Sequence, residues 1–136
     1  TNAVAKFKDE CDPQHGGFGG APKFPRPSQP AFLLRHGVKK NDQEALNMVL
    51  ITCEKMAAGG MNDQLGGGFS RYSVDAKWLV PHFEKMLYDN ALLIDLLTEV
   101  WRETQEPLFA VRIRETIASQ IRDCPDPCTM KHVART

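Results

Sequence analysis

One stretch decides the predicted fold of this chain: residues 63–91, DQLGGGFSRYSVDAKWLVPHFEKMLYDNA. Its glycines permit backbone conformations that other residues avoid, and residues 69–74 alternate as a short strand or hairpin arm does. Pro81 suits the first position of a helix, which we predict to run to about Thr104 with apolar residues around most of its circumference. The stretch therefore predicts a glycine-hinged loop that leads into a buried, inner helix.

Helical patterns flank this stretch on both sides. Residues 3–10 have the spacing of the last turns of a helix, so we expect a further segment before them. The predicted boundary residues of the other helices are, in chain order, Ser28 and Gly37, Asn41 and Gly59, and Pro107. The helix after Pro107 has a charged side and is predicted to be an outer helix.

A sequence repeat links two of the loops. The pattern DxxxGGF at residues 12–18 recurs 51 residues later at residues 63–69. Periods of about 20 to 50 residues are typical of repeated supersecondary units. The repeat favours an all-α array of helical hairpins, with glycine-rich loops and at most a short β-hairpin. An irregular helical bundle is the alternative.

Composition excludes several function classes. Lysine plus arginine and aspartate plus glutamate each number 17, so the formal charge is zero, which argues against binding to nucleic acid or to an acidic membrane surface. No apolar run approaches the ~20 residues of a membrane span. The four cysteines lack the spacing of a disulfide scaffold. We expect a cytoplasmic protein without a cofactor.

Three motifs carry a family resemblance: GGFGGAPKFPRP at 16–27, GGGFSRYSVDAKW at 66–78 and PHFEKMLYDNA at 81–91. They resemble the thioredoxin-domain-containing proteins that include the mammalian spermatogenesis-associated protein. The resemblance covers about residues 1–121 and implies the first part of an (α/α)6 toroid, similar to N-acylglucosamine 2-epimerases and six-hairpin glycosidases. The family's thioredoxin-like domain is absent from this stretch, which has no CxxC motif.

The end of the chain departs from the family pattern. We therefore divide the chain into a partial toroid domain, residues 1–121, and an off-pattern tail, residues 122–136. Within the tail, Cys124, Cys128 and His132 could ligate zinc. A structural zinc site usually needs a fourth ligand, and two prolines disturb the spacing, so we predict no metal site.

The candidate ligand-facing surface lies at the start of the predicted inner helix. At 100° per residue, one side of that helix carries His82, Lys85, Asp89 and Asn90. In a toroid, inner helices line a central cavity, so this polar strip would face a ligand there.

Catalytic roles are assigned to three residues near this strip. His82 could act as general acid or base because an unperturbed imidazole titrates near neutrality. Arg71 arrives from the adjacent loop, and Glu84 is a second candidate base that points to the other side of the predicted helix. Tyr72 and Trp78 could contact a sugar, the latter through its ring face.

The same residues have a structural interpretation. Polar groups at the ends of inner helices often satisfy loop backbone, Asp63 and Asp75 can cap turns, and Arg71 can pair with Glu84 or Asp89. These alternatives stay open at the level of sequence.

Three functional hypotheses follow. The first is a carbohydrate site with isomerase, epimerase or hydrolase chemistry in the complete toroid. The second is a non-catalytic interaction scaffold that accompanies a thioredoxin-like domain. The third is that the isolated chain has no activity of its own. Because a partial toroid exposes apolar helix faces, we also expect self-association.

Overall fold

The computed structural model describes residues 2–123, which form five α-helices. Their bounds are α1 Asn2–Glu10, α2 Ser28–Lys40, α3 Gln43–Ala58, α4 Leu87–Thr104 and α5 Pro107–Asp123. Within the described range, β-pairing is limited to isolated bridges, such as Lys23 with Ser73. The predicted all-α fold is therefore confirmed.

The helices form two hairpins that pack side by side. Helix α2 packs on α3 and α4 packs on α5, and each pair is joined by a two-residue connection. Helix α2 also contacts α4, and α3 contacts α5, so the hairpins stack in two layers. The shared core is aliphatic and aromatic, and its fully buried members include Leu33, Val49, Met56, Leu93 and Phe109.

Two long connections meet at the end of the hairpins opposite the short ones. We call residues 11–27 the first long loop and residues 59–86 the second long loop. Their backbones pair directly, since the amide of Lys23 donates to Ser73 O (2.8 Å) and the amide of Ser73 donates to Lys23 O (2.9 Å). The two loops therefore form one surface.

The turn between α2 and α3 differs from the prediction at two residues. Gly37 does not end α2 but lies buried inside it, where a Cβ would come within 2.7 Å of the Leu46 side chain of α3. Asn41 is not the N-cap of α3. It adopts a left-handed conformation (φ 55°) and closes α2, while Asp42 caps α3 by accepting from the amide of Ala45.

Helix α4 begins at Leu87 rather than at Pro81 as predicted. The segment before it is held extended against the other arm of the second long loop. Here the amide of His82 donates to Tyr72 O (3.0 Å) and the amide of Arg71 donates to Glu84 O (2.8 Å). These cross-loop bonds override the local preference of proline for a helix start.

The sequence predicted a buried, inner helix with apolar residues around most of its circumference. Only one side of α4 is buried. One side, which includes Leu93, Leu97 and Val100, is in the core. The opposite side is open, with Tyr88 46% and Leu92 51% exposed. Among residues 2–123, no helix has the length and apolarity needed to cross a membrane.

Candidate functional site

Each long loop is built around one aspartate that accepts bonds from its own turn. Asp12 Oδ1 accepts the amides of Gln14 (2.9 Å) and His15 (3.0 Å). Asp63 Oδ1 accepts the amides of Leu65 (3.0 Å) and Gly66 (2.8 Å). The sequence repeat is thus a structural repeat, and Asp63 caps a turn as one of the two sequence interpretations held.

A lysine from further along the chain closes each turn. Lys23 Nζ donates to Asp12 Oδ2 (2.9 Å) and Gly16 O (2.7 Å). Lys85 Nζ donates to Asp63 Oδ2 (2.7 Å) and to the equivalent carbonyl, Gly67 O (2.8 Å). We call the Asp12–Lys23 pair the first clip and the Asp63–Lys85 pair the second clip.

The clips differ in their burial. Lys23 is fully buried and lies with its ammonium 5.4 Å from the ring centre of Trp78, whereas the Lys85 side chain is 27% exposed. Burial raises the pKa of Asp12, but the Lys23 ammonium and two amides outweigh it and leave that pKa well below its ordinary value. The Gly66 amide and the Lys85 ammonium lower the pKa of Asp63 to about 2. Both carboxylates are therefore ionised near neutral pH.

The glycines of the DxxxGGF pattern have a positive φ, and Gly16 also lies where a side chain would clash with a neighbouring element. Gly16 has a φ of 69°, and a Cβ there would lie 2.5 Å from Thr52 Cα of α3. The adjacent amide of Gly17 donates to Thr52 Oγ1 (2.9 Å). The loop backbone thus lies directly on the helix, which a side chain would prevent.

Trp78 occupies a different place from the one predicted. It is fully buried, with a left-handed φ of 61°, and its indole N–H donates to His15 O (2.8 Å) in the first long loop. Its ring covers the first clip, so neither face is open to a ligand in this structure. The aromatic residue joins the two loops because an indole combines a large apolar surface with one donor.

Asn90 is a structural residue of the second long loop. It is fully buried, its Oδ1 accepts the amide of Phe69 (2.8 Å), and its Nδ2 donates to Phe69 O (3.1 Å) and Met86 O (2.9 Å). Together with Lys85 it fixes the loop. The predicted helical strip does not form, because His82 and Lys85 lie before α4 rather than on it.

Three of the predicted site residues do come together on the loop surface. Arg71 Nη1 lies 3.5 Å from Glu84 Oε2, and His82 Nδ1 lies 3.8 Å from the same oxygen. Each of these side chains is 45% exposed. Glu84, placed opposite His82 by the helical projection, is therefore its neighbour. These three residues and Tyr72 are called the loop-end cluster below.

Aromatic rings form one side of the loop-end cluster. The Tyr72 and His82 rings stack with centroids 4.7 Å apart and planes at 15°. Phe24 of the first long loop stacks on Tyr72 with the same centroid distance and planes at 28°. Phe24 was not predicted as a site residue, because nothing in its local sequence indicates a contact 48 positions away.

Asp89 borders the cluster from the first turn of α4. Burial raises its pKa above the ordinary value, Arg71 acts in the opposite direction, and Glu84 raises the pKa further. Arg71 thus faces two carboxylates. The arrangement places a guanidinium, an imidazole and carboxylates on one exposed surface, and these groups can donate and accept hydrogen bonds and exchange protons.

The zinc ligands weighed from the sequence, Cys124, Cys128 and His132, lie outside the described residues. Between residues 2 and 123, no group of three or more His, Cys, Asp and Glu side chains is arranged to hold a metal ion.

Sequence comparison places this chain within longer proteins. It is 43% identical over 114 residues to mouse spermatogenesis-associated protein 20 and 50% identical over 103 residues to the human protein of that name, which covers 81% and 73% of this chain. It is 42% identical over 98 residues to the Caenorhabditis elegans uncharacterized protein B0495.5, covering 69% of this chain. No family model matches.

The chain spans only 14% of the mouse relative and 13% of the human one. Among solved structures, a sugar epimerase from a ruminal bacterium superposes with a TM-score of 0.76 at 15% identity. The match covers 88% of this chain and 34% of that one, and it shows that the two hairpins have the fold of part of an epimerase helical toroid. The chain is therefore homologous to a segment of mouse and human spermatogenesis-associated protein 20, and its described helices have the fold of part of a helical toroid.

Proposed function

We propose that this chain contributes one part of a carbohydrate site, completed by the rest of the toroid, and that the loop-end cluster is the surface that meets the sugar. The observation that carries the proposal is the exposed contact of Arg71, His82 and Glu84 beside a ring stack. The similarity of fold to a sugar epimerase supports the substrate class by analogy.

The geometry suggests a role for each side chain. Glu84 faces Nδ1 of His82, which leaves Nε2 as the nitrogen that can exchange a proton with a sugar carbon or oxygen. Arg71 presents donors that suit hydroxyl or carboxylate oxygens. Tyr72 lies half-buried behind the imidazole and contributes an apolar wall. Proton transfer at a sugar is the reaction class that this set fits best.

Sugar binding to the chain itself tests whether the loop-end cluster is the surface that meets a sugar. We expect a panel of monosaccharides to shift the NMR resonances of the His82 ring, and the His82→Gln variant to lose the accompanying shifts at Arg71 and Glu84. His36→Gln is the matched control, because His36 pairs with Asp42 at the start of α3, away from the cluster. Absence of any sugar-dependent shift in the wild-type chain would refute binding by this surface.

Turnover needs a complete toroid. In a complete toroid that carries this segment, His82→Gln should lower sugar turnover by about 100-fold or more, the usual contribution of a general acid or base. Unchanged turnover would remove His82 from the chemistry.

A second function is favoured by a separate observation. Phe83 is 91% exposed beside the cluster, and the hairpin that follows Ser73 exposes Val74, Leu79 and Val80 by about half. Exposed apolar side chains of this kind suit a protein contact, including self-association of the chain. If Phe83→Ser abolishes oligomers in sedimentation and leaves sugar shifts unchanged, the scaffold role and the sugar site are separate. A chain that is monomeric at every concentration would contradict self-association.

A further inference from the structure

The ring of Tyr72 has a neighbour on each face. Phe24 and His82 both lie with centroids 4.7 Å from the Tyr72 centroid and with planes within 28° of it. One face of a phenol ring has room for a single stacked ring at that distance, so Phe24 and His82 occupy opposite faces. The three rings form a column that runs from the first long loop to the imidazole.

The Phe24 end of this column is anchored. Phe24 directly follows Lys23, which is fully buried, donates to Asp12, Gly16 and Ala76, and pairs its backbone with Ser73. Ser73 directly follows Tyr72. The backbone pairing therefore fixes the position of Phe24 relative to Tyr72, whatever the exposed residues do.

At the other end of the column, the His82 amide is held by its bond to Tyr72 O (3.0 Å), but the imidazole ring has few other restraints. The His82 side chain is 45% exposed, and its Nδ1 makes only a 3.8 Å contact with Glu84, which is longer than a hydrogen bond. The next residue, Phe83, is 91% exposed and offers no packing on that side. Stacking on Tyr72 is therefore the main contact that orients the imidazole plane.

We propose that Phe24 is a positioning residue for the candidate site: by packing on the far face of Tyr72, it holds the His82 imidazole beside Arg71 and Glu84. This inference rests on the proposed function for its purpose, but the positioning itself does not depend on a sugar. It also gives the first repeat a role in a site whose polar groups all come from the second.

The variant Phe24→Leu tests the inference. We expect the NOEs between the Tyr72 and His82 rings to weaken and the His82 ring protons to move toward random-coil positions. Because an aromatic pair contributes modestly, the dissociation constant of any sugar that binds should rise by about 2- to 12-fold. Phe24→Tyr keeps a stacking ring, so its His82 resonances and its dissociation constant for a sugar should be those of the wild type.

A matched control separates this effect from general loss of packing. Phe7, on α1, is also half-buried and contacts two rings, those of Phe18 in the first long loop and Phe32 on α2. Phe7→Leu should leave the His82 resonances unchanged. If Phe24→Leu fails to fold, Phe24→Met, which keeps a long apolar side chain, takes its place in the same comparison.

The outcomes are distinguishable. If Phe24→Leu leaves the His82 ring protons and NOEs as in the wild type, the positioning role is refuted, even where wild-type protein binds sugar. If the His82 resonances move but no sugar binds to wild type, positioning stands and the proposed function fails. Equal effects of Phe7→Leu and Phe24→Leu on His82 would also overturn the inference.

Discussion

The same substitution, lysine to methionine, can be made in the first clip, where the lysine is fully buried, and in the second clip, where it is partly exposed. Replacing Lys23 or Lys85 by methionine keeps an unbranched side chain of similar length and removes the ammonium group. In each case an ionised aspartate and a loop carbonyl lose their partner. The structure predicts a larger loss of stability for Lys23→Met, because the environments of the two lysines differ.

The expected magnitudes follow from burial. Lys23 is fully buried and makes a further bond to Ala76 O (2.8 Å), so removing it takes the only ammonium from Asp12, a side chain 22% exposed, and takes one donor from each of two carbonyls. Breaking such a buried pair costs about 3 to 5 kcal/mol of unfolding free energy. The side chains of the second clip are 27% and 37% exposed, so water replaces part of what Lys85 provides. We expect roughly 1 to 2 kcal/mol there.

Thermal and urea unfolding followed by far-ultraviolet circular dichroism measure the difference. For a domain of this size, 1 kcal/mol corresponds to about 4 °C in Tm. Lys23→Met should therefore lower Tm by about 12 to 20 °C, and Lys85→Met by about 4 to 8 °C. Lys77→Met, on the exposed hairpin of the second long loop, is the control and should change stability by less than about 0.5 kcal/mol.

Two results would contradict this reasoning. Equal destabilisation by Lys23→Met and Lys85→Met would mean that burial does not set the strength of the clips. A larger effect at Lys85 would mean that the first clip is not the anchor of the loop surface, and the argument for a fixed Phe24 would fail with it.

Three further predictions concern Asn90, Cys53 and Asp63. Asn90→Ala leaves the amide and carbonyl of Phe69 unpaired and should lower the unfolding free energy by about 2 to 3 kcal/mol in urea titrations; an effect under 0.5 kcal/mol would exclude the bonds. Burial raises the pKa of Cys53 and also closes access to its sulfur, so at pH 8 its alkylation, read by mass spectrometry, should be much slower than that of an ordinary thiol. Because the folded pKa of Asp63 is lowered to about 2 from 3.8, its stabilisation is complete above about pH 5 and is lost as pH falls toward 2. Asp63→Asn should flatten that acid dependence of Tm, and an unchanged slope would contradict it.

The repeated loop pattern could be predicted from sequence because its requirements are local. An aspartate that accepts amides two and three residues ahead, and glycines at positive φ, leave a direct signature in DxxxGGF. The lysines that close the clips leave none. Lys23 follows Asp12 by 11 residues and Lys85 follows Asp63 by 22, so no common spacing identifies them.

The start of α4 could not be predicted for a related reason. Pro81 has a local preference for a helix N-terminus, but the bonds that hold its segment extended come from Arg71 and Tyr72, on the other arm of the loop. The prediction therefore placed His82 on a helix, with Glu84 on the side of the helix opposite His82. The residue types of the cluster were predictable, whereas its geometry depends on the pairing of the two loop arms.

The distribution of contacts along the chain has a consequence for motion. Each helical hairpin is joined by two residues and is held by contacts close in sequence, whereas the bonds between the long loops join residues 50 or more positions apart, such as Lys23 with Ala76 and Trp78 with His15. Such distant contacts close longer stretches of chain, at a higher cost in chain entropy, so we expect them to form after the hairpins. Amide exchange should therefore be faster in the paired loops than in the helix cores.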